Sequence, residues 1–141
     1  MSERYLRGIE IAEQLASEKL EEFTTSRVAE LAPDFARMAI EFPLGDLYAR
    51  PGLDLRSREI VAIASLASLG SAEPQLRNHI RAAMQIGLTR AEIIEILMQS
   101  AIYAGFPAAL NALTRCHDLL TEESPPQASI GVEPHCWDGR K

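Results

Sequence analysis

The sequence predicts an all-α fold of about six helices in one domain, and three observations lead to this prediction. Apolar residues recur at helical spacing through most of the chain, and no segment shows the alternation typical of a half-buried strand. The 141 residues fit a single domain on the usual range of ~100–200 residues. The composition, 47% hydrophobic and 24% charged, is that of a folded globular protein. We expect the helical domain to span residues 1–121 and a tail without periodicity to span residues 122–141.

The first two helices are predicted in the N-terminal part of the chain. The first runs from Glu3 to about Phe23 and has a narrow apolar stripe on an otherwise charged helix, so it lies on a surface. The second runs from about Ser26 to Phe42, and Pro33 fits the first turn of a helix better than a helix interior. Pro43 and Gly45 end the helical pattern, which predicts a short turn and a loop before the next helix.

The third helix is predicted to begin after Asp54, a suitable N-cap, and to end at Leu69 before Gly70. Its interior, residues 60–69, is apolar on nearly every face. A helix that is apolar all round must be covered all round. In a chain this short the cover comes from the other helices and from a partner subunit, so this helix predicts oligomerisation.

Three more helices are predicted from their end signals. The fourth ends at Gly87. The fifth opens with a capping box formed by Thr89 and Glu92 and ends at Gly105. Pro107 is well placed as the first residue of the sixth.

The charge of the chain argues against nucleic acid as a partner, because the net value is −6. The charge is uneven, however: −5 over residues 1–47, +3 over residues 48–90 and −4 over residues 91–141. A planar guanidinium suits forked recognition of carboxylates and ion pairs at interfaces. All six basic residues of the middle third are arginines: Arg50, Arg56, Arg58, Arg77, Arg81 and Arg90.

Membrane, secretory and metal-binding classes are also disfavoured. No apolar run reaches the ~18 residues of a spanning helix, and the first residues carry charges where a signal peptide needs an apolar core. Cys116 and Cys136 fit no zinc or redox spacing, and two cysteines are too few for a disulfide scaffold. We therefore expect a cytoplasmic protein without a metal.

Candidate chemical groups are scattered, because the sequence contains no phosphate loop, nucleophile elbow or HExxH motif. His79 lies at the edge of the apolar face of the fourth helix, ~100° from Ile80, and is either an acid or base or a packing histidine. Glu59, at the start of the third helix, is either a proton relay raised in pKa by desolvation or a carboxylate stabilised by the helix dipole. Gln99 and Tyr103 lie deeper in the fifth helix, near the turn that follows it.

The arginines of the middle third divide by helix face. Arg77 and Arg81 lie on the flank of the fourth helix away from His79, which favours ion pairs or an interface. A clamp for an anionic substrate beside His79 must then come from Arg50, from Arg58 or from a neighbouring chain.

The tail contains one cluster, His135, Cys136 and Trp137. Two potential ligands do not make a metal site, so the tryptophan is interpreted as docking the tail onto a partner or onto the body of the protein.

Three segments resemble a known family. They are LYARPGLDLRSREIVAIASLASLG at 47–70, QLRNHIRAAMQIGLTRAEIIEIL at 75–97 and AIYAGFPAALNA at 101–112. Together with the opening ERYLRGIEIAEQL at 3–15, they are similar to the carboxymuconolactone decarboxylase family, over roughly residues 4–120. The resemblance implies an all-α, alkylhydroperoxidase-like fold of about six helices. It also implies a ring-shaped homohexamer, a trimer of dimers, with active sites near the subunit contacts.

The family has two chemistries. Alkylhydroperoxidase-type members use a CxxC pair followed by a histidine, with a glutamate upstream. Here residues 71–75 contain no cysteine, so dithiol peroxidase activity is not expected, and Glu59 and His79 alone match that pattern. The other branch decarboxylates 4-carboxymuconolactone in the β-ketoadipate route of aromatic catabolism and needs no cofactor.

The resemblance implies roles for six residues on a small carboxylated substrate. His79 is the acid or the oxyanion donor, with Glu59 as its relay. The remaining residues bind substrate: Arg50 and Arg58 as clamps, with Gln99 and Tyr103 shaping the pocket.

Two departures from the family pattern leave alternatives open. Gln99 stands where many decarboxylase members have a histidine, and Leu110 stands where they have an asparagine, with Asn111 one residue late. The alternatives are a related lyase or isomerase acting on another small molecule and an oligomeric binding protein without catalysis.

Overall fold

The computed structural model describes residues 1–15 and 27–121. These residues form eight α-helices and one π-helix, with no strand among them, which confirms the all-α prediction. Six of the α-helices have eight residues or more, in agreement with the expected number of substantial helices. The elements are α1 (Glu3–Leu15), α2 (Arg27–Leu31), α3 (Pro33–Ile40), the π-helix (Glu41–Tyr48), α4 (Leu55–Leu69), α5 (Glu73–Gln85), α6 (Arg90–Ala104), α7 (Phe106–Arg115) and α8 (His117–Thr121).

Helix α4 begins and ends where the sequence predicts. The Asp54 carboxylate accepts a hydrogen bond from the Ser57 backbone N–H at 2.7 Å, and Gly70 ends the helix with a φ of 70°. The other helices described in a single chain do not cover α4 on all faces, because Val61 is 57% exposed and Leu69 is 67% exposed. One face of α4 is therefore left for contacts outside this chain or with residues beyond the described ranges.

The core lies between α4, α5, α6 and α7. The capping box of Thr89 and Glu92 is present at the start of α6. Helix α5 ends at Gln85, two residues before the predicted stop, and Gly87 follows with a φ of 100°. Pro107 is the second rather than the first residue of α7. The largest fully buried apolar side chains are Ile63, Ile80, Ile93, Leu97 and Cys116.

The predicted turn at Pro43 and Gly45 is wrong, because the chain continues directly from α3 into the π-helix. A proline ring blocks the i−4 register of an α-helix, and the wider π turn shifts the preceding carbonyls out of that register. Gly45 serves close packing rather than a turn: a Cβ built there would lie 2.1 Å from the Arg4 carbonyl oxygen. The π-helix thus packs closely against α1. Tyr48, the last residue of the π-helix, lies beside α4.

Helix α1 confirms the predicted stripe as far as it is described. Gly8, Ala12 and Leu15 are its buried residues. Its predicted extension to Phe23 and the predicted start of the second helix at Ser26 fall on residues 16–26, outside the described ranges. Tail residues 122–141, with the cluster at 135–137, also lie outside them. No helix in the described ranges is long and apolar enough to cross a membrane.

Candidate active site

The centre of the candidate site is Glu59, in the first turns of α4. Its side chain is 0% exposed, and its Oε2 atom lies 2.7 Å from Nδ1 of His79. An ionised carboxylate can only accept hydrogen bonds, so the proton between the two residues is assigned to Nδ1. A buried carboxylate without a partner would be costly. The contact with His79 therefore explains how Glu59 can lie in the interior.

His79 reaches this carboxylate from α5, at the boundary that the helical geometry predicts. Its side chain is 33% exposed, while the Glu59 side chain is not exposed at all. Since Nδ1 is taken by the buried carboxylate, Nε2 is the ring nitrogen left for a ligand. An imidazole held in this way can exchange a proton at Nε2 while Nδ1 stays bound.

Tyr48, which the sequence analysis did not single out, belongs to the same site. It is half-buried at the end of the π-helix. The pKa of its hydroxyl is raised above the usual range by burial, by the negative charge of Glu59 and by a hydrogen-bond interaction with that carboxylate. The segment was interpreted as a loop, so its tyrosine had no predicted face. The available signal was its place in the same motif as Arg50, Arg58 and Glu59.

Arg58 lies beside the tyrosine. Its guanidinium carbon is 5.7 Å from the centroid of the Tyr48 ring, and its Nη2 donates to the carbonyl oxygen of Arg50 at 2.9 Å. Arg50 therefore meets Arg58 through its backbone, and its side chain is exposed. The structure brings Arg58 and Glu59 to one end of α4, together with the backbone of Arg50.

Two buried side-chain atoms in the described ranges have no hydrogen-bond partner, and both belong to this site. They are Nε of Arg58 and Oε1 of Glu59. The pKa of the Tyr48 hydroxyl responds to this carboxylate, but Oε1 itself has no hydrogen-bond partner among the described residues. Buried polar atoms without partners are rare in folded proteins and point to a missing ligand, water or rearrangement.

Gln99 and Tyr103 lie in the later part of α6, as expected, and at the surface of the described chain. The helix buries Ile93, Leu97 and Ser100, which places Gln99 and Tyr103 on its outer side. Both are exposed, Tyr103 by 84%. Both residues come shortly before the turn that leads into α7, and that turn lies at the surface of the single chain.

The other predicted groups serve structure. Arg77 forms an ion pair with Asp118 and donates to the carbonyl oxygen of Arg115 at 2.7 Å, which confirms the predicted ion-pair role. Arg81 lies 3.5 Å from the side-chain oxygen of Asn78. Cys116 is 0% exposed, and burial raises the pKa of its thiol, which disfavours the reactive thiolate.

A separate cleft of about 640 Å³ lies between α1 and α3 and is lined by none of the predicted site residues. Its buried carboxylate, Glu41, accepts a hydrogen bond from Ser2 and lies within 4.0 Å of Arg4 and Arg37. The charges in this cleft thus compensate one another. By contrast, Nε of Arg58 and Oε1 of Glu59 are left without hydrogen-bond partners in the described part of the chain.

No group of three or more potential metal ligands occurs within the described part of the chain. The residues around Glu59 offer a carboxylate, an imidazole, a phenol and a guanidinium. This set can move a proton and bind an anion.

Comparison with known proteins identifies the family. The model of the carboxymuconolactone decarboxylase family matches residues 33–115. The 4-carboxymuconolactone decarboxylase of Acinetobacter baylyi is 31% identical over 132 residues, which cover 94% of this chain and 92% of that protein. An uncharacterized 15.0 kDa protein of Paracoccus denitrificans, from the nqo9-nqo10 intergenic region, is 33% identical over 105 residues, covering 74% of this chain and 78% of that protein. The nitrosuccinic acid decarboxylase of Metarhizium robertsii is 32% identical over 73 residues, covering 52% of this chain and 50% of that protein. The family model and the full-length similarity to the Acinetobacter protein show that the chain belongs to the carboxymuconolactone decarboxylase family.

Proposed function

We propose that the protein is a cofactor-independent decarboxylase of a small carboxylated lactone such as 4-carboxymuconolactone, acting in aromatic catabolism in the cytoplasm. Membership of the family and similarity to two named decarboxylases support a decarboxylase role. The observation that carries the proposal is the contact of 2.7 Å between the buried Glu59 carboxylate and the half-exposed His79 ring.

The substrate of this reaction supplies its own electron sink, so the protein needs none. The bond between the γ-carbon and the carboxylate breaks, and its electron pair passes through the ring alkene onto the lactone carbonyl oxygen. The products of this step are CO₂ and a dienolate. A proton delivered to the α-carbon then gives the enol-lactone. The protein has to position the substrate, stabilise the dienolate oxygen and supply that proton.

His79 is the proposed proton donor. Protonated His79 gives its Nε2 proton to the α-carbon and becomes neutral. The proton on Nδ1 stays there, in the hydrogen bond to Glu59. Solvent can then reprotonate Nε2, since the side chain is 33% exposed. Glu59 acts through the imidazole: its contact with Nδ1 fixes the orientation of the ring, which is its part in the proposed relay.

Arg58 is the proposed clamp for a substrate carboxylate. Its buried Nε has no partner in the described ranges, so it can donate to a ligand without breaking an existing bond. Its Nη2 is held by the Arg50 carbonyl, which fixes the plane of the guanidinium. The exposed side chain of Arg50 is the proposed second cation, matching the two carboxylates of 4-carboxymuconolactone.

The proposed active unit is a homohexamer built as a trimer of dimers, in which Gln99 and Tyr103 line a pocket at a subunit contact. This proposal rests on the apolar surface that the described part of a single chain leaves uncovered on α4, α6 and α7. The exposed side chains there are Val61, Leu69, Met98, Ile102, Tyr103, Phe106 and Leu110.

Native mass measurement tests this assembly. We expect a hexamer for the wild type and smaller species for Ile102→Glu, because a charge would be buried at the contact. Glu95→Gln, at an exposed position of the same helix, is the matched control and keeps the wild-type mass. A monomeric wild type would contradict the proposal.

A second candidate substrate class is a small nitro-carboxylate, favoured by the similarity to the nitrosuccinic acid decarboxylase. A nitro group can accept the electron pair of a departing carboxylate as a lactone carbonyl does. Offering both substrates to the purified protein separates the two functions.

The decisive experiment follows CO₂ release from 4-carboxymuconolactone. We expect turnover by the wild type and a loss of kcat of about tenfold or more in His79→Ala, because general acid catalysis contributes ~10²–10⁴-fold. His117→Ala, an exposed histidine on α8, is the matched control and keeps the wild-type rate. Turnover with a smaller loss in His79→Ala would show that another group supplies the proton.

A further inference from the structure

The carboxylate of Glu59 has one oxygen engaged and one open. Oε2 contacts His79, whereas Oε1 is fully buried and has no hydrogen-bond partner among residues 1–15 and 27–121. With no second contact, the carboxylate can turn about its terminal bond and lose its alignment on the imidazole. A donor to Oε1 would remove that freedom and satisfy the buried acceptor.

Tyr48 offers a hydroxyl donor to this carboxylate, because the pKa of that hydroxyl responds to Glu59. It comes from the π-helix, whereas Glu59 and His79 come from α4 and α5, so three segments converge. The Arg58 guanidinium lies 5.7 Å from the ring centroid and restrains the ring. Burial and the charge of Glu59 both raise the pKa of the phenol, so its proton stays in place and the hydroxyl acts as a donor.

We propose that Tyr48 is a positioning residue of the Glu59–His79 pair: a small rotation of its side chain brings its hydroxyl onto Oε1 of Glu59, where it donates a hydrogen bond to the open oxygen and thereby holds Oε2 on Nδ1 of His79. The Tyr48 hydroxyl touches no reacting atom in this arrangement. Its effect reaches the imidazole through the carboxylate: the proton stays on Nδ1, and Nε2 faces the ligand side. The catalytic consequence rests on the proposed function, but the effect on the histidine does not.

The test is Tyr48→Phe, which removes the hydroxyl and keeps the ring. In ¹⁵N spectra of the imidazole nitrogens, neutral His79 should carry its proton on Nδ1 in the wild type and show a mixture of both tautomers in the variant. Tyr5→Phe on α1 is the matched control and leaves the signals of His79 unchanged. Wild-type ¹⁵N signals in Tyr48→Phe would overturn the proposal.

Kinetics give a second readout. Tyr48→Phe should lower kcat by roughly tenfold, the effect of one hydrogen bond to a charged group, and leave KM nearly unchanged. A raised KM with an unchanged kcat would instead assign Tyr48 to substrate binding and overturn the positioning role. The ¹⁵N comparison needs no substrate, so it remains decisive if 4-carboxymuconolactone is not turned over.

A measurement on the wild type covers the case in which the variant fails to fold. With ¹³C-labelled tyrosine, the Tyr48 ring should remain protonated above pH ~10, the ordinary pKa of a tyrosine hydroxyl. Ionisation of the Tyr48 ring at the ordinary pH of a tyrosine would show that its hydroxyl is not held against Glu59 and would overturn the proposal.

Discussion

Arg58 and Arg77 belong to the same positive third of the chain, but their surroundings differ. Arg77 donates from Nη1 to the carbonyl oxygen of Arg115 and to Oδ1 of Asp118, both at 2.7 Å, and from Nη2 to Oδ2 at 2.5 Å. Arg58 donates from Nη2 to the backbone of Arg50, and its Nε is buried without a partner in the described ranges.

The difference shows how a structural arginine is told from a candidate binding arginine. Arg77 donates both terminal nitrogens of its guanidinium to Asp118 and so links α5 to α8. It therefore has few donors left for a ligand. Arg58 keeps a buried donor open next to the Glu59–His79 pair. Composition assigns both residues to one basic segment, and the division by helix face anticipated which of them would form ion pairs.

The largest expected effect comes from replacing each arginine with lysine, which keeps the charge and removes the fork. Arg58→Lys should raise KM for the carboxylated substrate about tenfold or more, the scale of one charge-assisted hydrogen bond, and leave Tm close to the wild-type value. Arg77→Lys should leave KM unchanged and lower Tm, because α8 loses part of its attachment. Steady-state kinetics and thermal unfolding of both variants measure these effects.

The comparison breaks if the two variants exchange behaviour. A large fall in Tm for Arg58→Lys with normal KM would make Arg58 a structural residue. An increased KM for Arg77→Lys would place the substrate near α8 instead of near His79.

The sequence was most informative where local chemistry fixes an element. Asp54, Gly70 and the capping box at Thr89 act within one helical turn, so the bounds of α4 and the start of α6 could be predicted closely. The boundary position of His79 followed from helical geometry in the same way. The pairing of Glu59 with His79 came from family resemblance, since the residues are 20 positions apart.

The features that the sequence did not reveal depend on tertiary packing. Pro43 and Gly45 have the local chemistry of a turn, but packing of α1 against Gly45 keeps the chain helical. This error also concealed Tyr48, because a tyrosine in a loop has no predicted face. The exposure of Gln99 and Tyr103 likewise depends on packing, because the neighbouring helices decide which face of α6 is buried.

A smaller effect tests the Arg77 side of the comparison through pH. The Arg77 guanidinium lowers the pKa of Asp118 from 3.8 to about 2. A carboxyl group with a lowered pKa in the folded state contributes stability above its unfolded pKa, and this contribution is lost as the pH falls through the folded pKa. Asp118→Asn should therefore lower Tm at neutral pH, and the difference from the wild type should shrink between about pH 4 and pH 2.

Thermal unfolding of both proteins across this range measures the difference directly. The shift should amount to at most a few degrees, since Asp118 is 57% exposed and surface ion pairs are weak. Asp34→Asn is the matched control: its carboxylate is 90% exposed and 3.8 Å from Arg37, so its Tm difference should be near zero throughout. A Tm difference for Asp118→Asn that is constant down to pH 2 would mean that the carboxylate acts through packing rather than through its charge. Arg77 would then lose its role as the arginine whose charge is matched within the fold.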